Sequence, residues 1–473
     1  MSTIVTRSGK GSPLTHNEVD ANFNNLNSDK AEKSNNLSDL TSASTARTNL
    51  GLVASATTDT TNASNISSGT LDAARLPALV GDASSSAGSN TLTLATVNST
   101  TGSFGSATSI PVVTVNGKGL VTSVTTATVQ GGQKNRIING AMVISQRNGT
   151  ASVTPGTFPA YLTDRFAYNA SVASKLSFQQ VTDAPSGFNN SLKVTVAAQY
   201  SPAAGERFIL YQKIEGFNVA NLQFGTAGAL TITTTQYIKG SVAGTYAVAI
   251  NNAALDRSYV GTVNVTTSWQ PLSITLSGDT SGTWSTGNTT GLQLTFDLGS
   301  GSNFNTTANA WQAGTYFRTS SCVTFVNQTA GSTLNITGVQ LEVGNSATDF
   351  EYVNYQTSLA NCQRYYYRTT AQTSGDRMGN GYIGSATGAS VGFFYPVTMR
   401  TNPTALEQTG TATDYSVNWA TSNTVCSAVP TFTTATTNFA NVALTVASGL
   451  TTGQGCMARA ATTSAYFGWS AEL

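Results

Sequence analysis

From residue 134 onward the chain alternates. Leu192, Val194 and Val196 are separated by single polar residues. The same period of two returns, with small or polar residues between, in Tyr246/Val248/Ile250, Leu272/Ile274/Leu276, Leu292/Leu294/Phe296/Leu298 and Val339/Leu341/Val343. Such a period predicts strands that each bury one face, and Gly, Asn and Asp clusters mark turns between them. So many short strands predict two packed antiparallel sheets over residues 134–368, a β-sandwich of jelly-roll type. Residues 369–473 repeat the pattern on a smaller scale, in Val391/Phe393, Val417/Trp419 and Val442/Leu444/Val446. They predict a second, small C-terminal β-sandwich.

Between the two lies an edge, residues 336–368. Its strand stops at Gly344 and Asn345, a turn signal. Leu359, Cys362 and Tyr366 then recur at spacings of three and four, which predicts a short helix. Arg364 and the rings of Tyr365, Tyr366 and Tyr367 follow. A sugar platform and a packed joint both suit this run, and its place between domains favours the joint. The strand is expected to return beside residues 136–142. If three copies meet on an axis, Tyr366 and Cys362 are expected near it.

Upstream the pattern thins. Residues 1–33 read as an arm and a short helix opened by a capping box, Thr15 and Glu18. Val19, Phe23 and Leu26 form a stripe too short to hold a lone helix in water. Two readings stay open: a small parallel bundle of copies, or a helix lying on another part of the protein. Residues 34–133 are rich in Ser, Thr, Ala, Gly and Asn, with sparse apolar positions: Leu37, Leu40, Leu50, Ile66, Leu71, Leu92/Leu94 and Val113/Val115. Gly51 stands at a helix stop, and Asn116-Gly117 is a hairpin signal. One copy cannot bury enough apolar area to offset its chain entropy. Several intertwined chains can, so this part reads as an oligomeric fibre shaft.

Composition narrows the function. Charged residues are only 10% of the chain and the net charge is +1, which gives no electrostatic handle on nucleic acid or an anionic membrane. No run approaches a membrane span, and the N-terminus has no apolar export segment, so any work outside a cell is expected to follow release by another route, such as lysis. Cys322, Cys362, Cys426 and Cys456 are far apart, and His16 is the only histidine. A zinc site, a Ser-His-Asp arrangement and a cofactor are therefore not expected, and the cysteines are expected to be buried thiols. Oxygen-rich loops at 277–281 and 297–302 match no defined calcium motif. Glycoside hydrolysis needs two carboxyl groups held a few ångströms apart. Among Asp164, Glu206, Glu215, Asp256, Asp279, Asp297, Glu342, Asp349 and Glu351, no spacing singles out a pair, so no enzyme is expected.

Four motifs resemble bacteriophage tail fibres. TRSGKGSPLTHNEVDANFNNLN (6–27) is similar to the N-terminal segment of many phage fibres. NNLSDLTSASTARTNLGL (35–52) and VNSTTGSFGSATSIPVVTVNGKGLVTSV (97–124) resemble shaft repeats. NRIINGAMVISQRNGT (135–150), with residues 336–368, looks like the beginning and end of a carbohydrate-binding-module-like domain near fibre tips; IEGFN (214–218) and GTWSTGNTTGLQLTFDLG (282–299) also fit it. WSAEL (469–473) resembles the ending of similar tips. The resemblance implies a homotrimeric virion protein that docks on phage tail or baseplate proteins by its N-terminus. It implies contact with a host polysaccharide or lipopolysaccharide at the other end. A depolymerising tailspike and a non-receptor appendage are the alternatives.

Glycan sites use flat rings beside amides and carboxylates. Trp269, Trp284 and Trp311 in the large β domain and Trp419 in the small one are the candidate rings. Tryptophan in a sandwich is more often core than platform. Trp284, in a Gly/Thr/Ser-rich stretch, is the least core-like.

Overall fold

The computed structural model describes residues 3–29, 42–52, 72–105, 109–128, 133–420 and 422–473. The positions of Leu37, Leu40, Ile66 and Leu71 lie outside them. The chain divides into two units, Met1–Thr128 and Val129–Leu473.

In the first unit, α1 (Arg7–Lys10) is capped by Thr6. In α2 (His16–Asp29) the capping box forms: the Thr15 amide donates to Glu18 Oε2 at 2.8 Å, and the Glu18 amide donates to Thr15 Oγ1 at 3.4 Å. Hydrogen bonds from Lys10 and Thr15 hold the Glu18 carboxyl down at about 2. Asn22 exchanges hydrogen bonds with the backbone of Val5, which lays the arm along the helix. Phe23 and Leu26 remain 66% and 55% exposed. A third helix, α3 (Ala43–Asn49), stops where Gly51 turns left-handed, φ +68°. After the short pair β1 (Ala83–Ser84) and β2 (Thr93–Leu94), strands β3 (Ser109–Val115) and β4 (Val121–Thr128) form an antiparallel ribbon. Asn116 makes its turn, its side-chain oxygen accepting from the amides of Lys118 and Leu120. Ile110, Val112, Val113 and Val115 of the ribbon are all exposed.

The second unit carries two β bodies. The first has strands β5 (Ala160–Tyr161), β6 (Ala167–Ala170), β7 (Leu176–Val181), β8 (Ser191–Val196), β9 (Phe208–Glu215), β10 (Ile232–Gly240), β11 (Gly244–Asn251), β12 (Arg257–Val265), β13 (Gln270–Leu276), β14 (Thr290–Asp297), β15 (Trp311–Ala313) and β16 (Thr333–Val343). They form a sandwich of a five-stranded sheet, β13-β10-β16-β8-β7, and a seven-stranded sheet, β15-β12-β11-β14-β9-β6-β5. All named pairs are antiparallel. Phe166, Phe178, Phe208, Leu294, Ile336 and Leu341 pack between the sheets with almost no exposure. Burying each such side chain is worth roughly 1.5–3 kcal/mol. Residues 135–141 run along β16: the Arg136 amide donates to Leu341 O at 2.8 Å, and the Val339 amide to Gly140 O at 3.0 Å.

Both outer faces are covered as well. Over the seven-stranded sheet, Phe317 packs on Ala167, Ile209 and Tyr211, and Cys322 and Tyr316 pack on Ala247, Ala249 and Val260. Buried Arg318 fixes that segment, donating to the carbonyls of Ser300 and Cys322 beside Asp297. Over the five-stranded sheet, Gln340 and Glu342 are not a solvated row. They are 1% and 2% exposed, because residues 344–353 cross them. Glu342 accepts from the Thr348 amide and hydroxyl at 2.9 and 2.6 Å, and Gln340 accepts from the Glu351 amide at 2.8 Å.

The chain then enters α4 (Tyr355–Gln363), capped by Asn354, and β17 (Tyr366–Thr370), which pairs with β24 (Tyr466–Ser470). Between these come β18 (Arg377–Ser385), β19 (Gly388–Phe394), β20 (Tyr415–Trp419), β21 (Ser422–Ala435), β22 (Phe439–Val446) and β23 (Gly455–Ala460). They close into a barrel, β18-β19-β22-β21-β20-β23, and not the expected second sandwich. The reason lies in β21. It is 14 residues long, its first part pairs with β20, and three irregularities interrupt its pairing with β22. Bulges bend a strand, and one strand so bent serves both halves of a closed sheet. Ala389, Ala440, Ala458 and Ala460 leave the interior just wide enough for Phe393, Tyr415 and Val442.

Tyr366 is 0% exposed within one chain, which removes it from any surface a second copy can touch. It belongs to the joint between sandwich and barrel. Arg147 lies over its ring at 3.4 Å, and its hydroxyl donates to Glu407. Tyr365 is covered by Arg165 at 3.6 Å and donates to Glu215, which also takes a two-point contact from Arg364 at 3.0 and 2.6 Å. Glu472 is held by Arg147 at 3.3 Å and by Arg165. Cys362 and the other three cysteines are free and buried.

Asp164, also at this joint, accepts from the amide and the side chain of Gln146. Burial nevertheless pushes its carboxyl up to about 6. Between about pH 4 and pH 6 the folded chain holds a proton that the unfolded chain has released. This contribution is therefore full below about pH 4 and is lost as pH rises through 6, on the order of 3 kcal/mol. Asp164→Asn is expected to abolish that part of the slope. Urea midpoints of the two proteins, compared from pH 4 to pH 7, should diverge in a pH-dependent way; a constant difference counts against the assignment.

Candidate functional site

Where residues 344–355 leave the five-stranded sheet, four rings gather. Phe188, in the turn before β8, has its centroid 5.0 Å from Phe350, 5.5 Å from Tyr352 and 5.2 Å from Tyr237 of β10. Phe350 and Tyr352 meet edge-on at 5.1 Å. Two glycines make room. A Cβ on Gly338, which sits at φ +58° inside β16, would come within 2.7 Å of both the Phe188 and Tyr237 rings. A Cβ on Gly187 would lie 2.8 Å from the Tyr352 hydroxyl.

With residues 135–143 and the start of α4, the rings of Phe188, Phe350 and Tyr352 wall a cleft of about 230 Å³. Tyr352 and Tyr355 at its mouth are 62% and 58% exposed. Asn135 is fixed at its base: its oxygen accepts from the amides of Ile137 and Leu341, and its nitrogen donates to Val339 O. Glu351 accepts from the Asn135 amide through Oε2 at 2.7 Å. Its Oε1, the Asn189 amide and the hydroxyls of Tyr352, Tyr355 and Ser358 have no hydrogen-bond partner among the described residues. Exposed ring faces beside free hydroxyl, amide and carboxylate groups can stack the C–H face of a pyranose and pair with its hydroxyls.

The four tryptophans named from the sequence do not gather at one site; only Trp284 and Trp311 touch. Trp284 and Trp311 pack edge-on against Phe224, at 4.9 and 5.9 Å, and against each other at 5.5 Å. Their indole N–H groups donate to Ser281 O and Ser277 O, so they close one end of the sandwich core. Trp269 donates to Asp183 at 3.1 Å, with Lys239 5.3 Å from its ring and paired to the same carboxylate. Trp419 is half-buried on the barrel core, and its N–H has no partner among the described residues. The candidate calcium loops have their carboxylates engaged: Asp279 takes both prongs of Arg257 at 2.7 Å, and Asp297 accepts the Gly299 and Ser300 amides.

No family model and no curated protein matches the chain. Among solved structures it is similar to the enzymatically active domain of bacteriophage CBA120 tailspike protein 4, at 10% identity and a TM-score of 0.25, over 45% of this chain and 22% of that one. It is similar to a family 11 carbohydrate-binding module of a cellulosomal cellulase of Clostridium thermocellum, at 12% identity and a TM-score of 0.22, over 42% of this chain and 99% of that one. TmCBM61, in complex with β-1,4-galactotriose, gives 10% identity and a TM-score of 0.23, over 45% of this chain and 100% of that one. The chain thus spans 22% of the tailspike domain's length and nearly all of each module.

Sequence reasoning passed over the ring cluster. Its signal was DFEYVNY (349–355), where Phe350, Tyr352 and Tyr355 follow a strand break in a loop. Nothing in the spacing points to Phe188, more than 160 residues upstream.

Proposed function

We propose that the chain is a bacteriophage tail fibre: a homotrimeric virion protein that docks on the tail or baseplate by its N-terminal segment. Through its C-terminal β domains it recognises a host surface polysaccharide or lipopolysaccharide without cleaving it. The cleft of Phe188, Phe350, Tyr352 and Tyr355 carries the recognition half of this reading, because its exposed rings and free hydroxyl-pairing groups suit a sugar. Trimerisation is supported by apolar surface that one chain leaves open, on Phe23 and Leu26 of α2 and on both faces of the β3–β4 ribbon. Binding without cleavage is supported by the engagement of buried carboxylates: Glu215 with Arg364, Asp279 with Arg257, Asp297 with Arg318 and Glu342 with Thr348. Against its burial, hydrogen bonds from Arg364 and Tyr365 hold the Glu215 carboxyl below its usual range, which makes it a poor general acid.

The test uses the fluorescently labelled full chain on a panel of bacterial strains. Decoration of a strain, displaced by that strain's purified surface polysaccharide without release of reducing ends, is the expected result. Decoration of no strain overturns receptor recognition, and released reducing ends overturn binding without cleavage. Light scattering should give three times the chain mass of 48.9 kDa. Phe23→Asp with Leu26→Asp should weaken that assembly and lower the mass at micromolar concentration.

A further inference from the structure

We infer that the sugar held by this cleft bears an anionic group, a carboxylate or a phosphate, which seats in the recess on the opposite side of Asn135. This rests on the glycan reading and sharpens it. Asn135 lines both spaces; its neighbours part, Ile137 lining the aromatic cleft and Arg136 lining the recess, of about 140 Å³. Between helix α4 and residues 216–218, the recess gathers two guanidinium groups, Arg136 and Arg364, and the side-chain amides of Gln133, Asn218 and Asn361.

Arg136 is the under-partnered group. Its Nε is buried and has no hydrogen-bond partner among the described residues, and its Nη1 reaches Gln133 O only at 3.4 Å. A guanidinium has five N–H donors, and leaving buried ones unmade is costly. Glu351 is the anion that acts on it, and that carboxylate already accepts from the Asn135 amide. Burial outweighs Glu351 and draws the arginine's pKa down. Arg364, by contrast, is neutralised: Nε and Nη2 are fixed on Glu215, which leaves Nη1 as its remaining fork. The amides of Gln133, Asn218 and Asn361 make no hydrogen bond among the described residues. The recess therefore has one cation without full compensation and several free donors. Arginine forks match the paired oxygens of a carboxylate or phosphate. The two spaces share Asn135, so a glycan held on Tyr352 and Tyr355 whose acidic group extends past that residue would present it to the recess.

Calorimetric titration of the full chain tests this with four probes: a glucuronate-terminated disaccharide, its glucose-terminated counterpart, glucose 6-phosphate and glucose. At low salt one acidic probe is expected to bind at least about tenfold tighter than its neutral counterpart, a gap of about 1.4 kcal/mol. Which probe wins identifies the anion. Arg136→Gln should close the gap while neutral-sugar binding persists, and the persistence shows that the variant is folded. Should that variant lose all binding, Asn218→Ala with Asn361→Ala, on partly exposed positions, is read instead and should narrow the gap several-fold. Equal affinities for acidic and neutral probes, or a gap that survives both variants, overturn the anionic group and leave glycan recognition standing. Failure of every sugar to bind, together with no decoration of cells, overturns the glycan reading itself.

Discussion

Glu472→Ala is expected to destabilise the second unit by about 3–5 kcal/mol, the cost of removing one partner from a buried ion pair. The Glu472 side chain is 4% exposed and those of Arg165 and Arg147 are 2% and 11% exposed. Its carboxylate is the acceptor shared by both guanidinium groups. Without it, Arg165 keeps one hydrogen bond, to Lys213 O at 2.6 Å, and a stack on Tyr365. Its Nε already lacks a partner among the described residues. Arg147 keeps Glu407, at 3.7 Å and partly in solvent, a hydrogen bond to the Ser470 hydroxyl at 3.2 Å and the face of Tyr366. Two desolvated cations on the sandwich side of the joint would then lose the counter-charge they share.

The effect should fall on the joint more than on either core. Arg400 also ties the chain end across the joint, donating to Ala471 O and Glu472 O at 2.7 Å and to Asn288 O at 2.8 Å. Those bonds reach backbone atoms, so the substitution leaves them in place. Sandwich and barrel are therefore expected to melt as one transition in the parent chain and as two in the variant. Differential scanning calorimetry reads this directly. A variant within 1 kcal/mol of the parent, with a single transition, would mean that the aromatic contacts alone fix the joint. Glu472→Gln separates charge from shape: it can still accept one bond but cannot neutralise either arginine, and should fall between the two.

This joint also marks where the sequence was readable. Three tyrosines after an arginine, between two alternating regions, signal packing at a boundary, and packing is what they do. Their partners were not readable. Arg147, Glu407 and Glu472 lie far from residues 364–367 in the chain and belong to no pattern. So Tyr366 could be placed on an axis between copies when its pocket lies within one chain. The period of two found β8, β11, β13, β14 and β16 because each sends alternate residues into the core. It misjudged the other faces. A polar residue that meets solvent and one that meets a covering loop look the same in sequence, as Gln340 and Glu342 show. Barrel closure was hidden for a different reason: it depends on bulges along β21, which alter register without altering composition.

Tyr352→Ala with Tyr355→Ala should abolish most glycan binding while leaving the fold intact. Both rings are more than half exposed, so their loss creates no closed cavity, and surface changes of this kind usually stay within about 0.5 kcal/mol. Tyr352 also touches Phe188 and Phe350, so a slightly larger stability change is expected there than at Tyr355. Binding is affected differently. An aromatic anchor truncated to alanine at a binding centre costs about 1–2 kcal/mol or more. Two such losses predict affinity about 30- to 1,000-fold weaker. The tryptophans supply the control. Trp284 and Trp311 close the core with their N–H groups already satisfied, so Trp284→Phe should lower the melting temperature and spare binding. The opposite pattern, with binding lost at Trp284 and kept in the tyrosine double variant, would move the site to that end of the sandwich. Unchanged binding in both would move it to the barrel, where Phe394 is 79% and Tyr382 60% exposed.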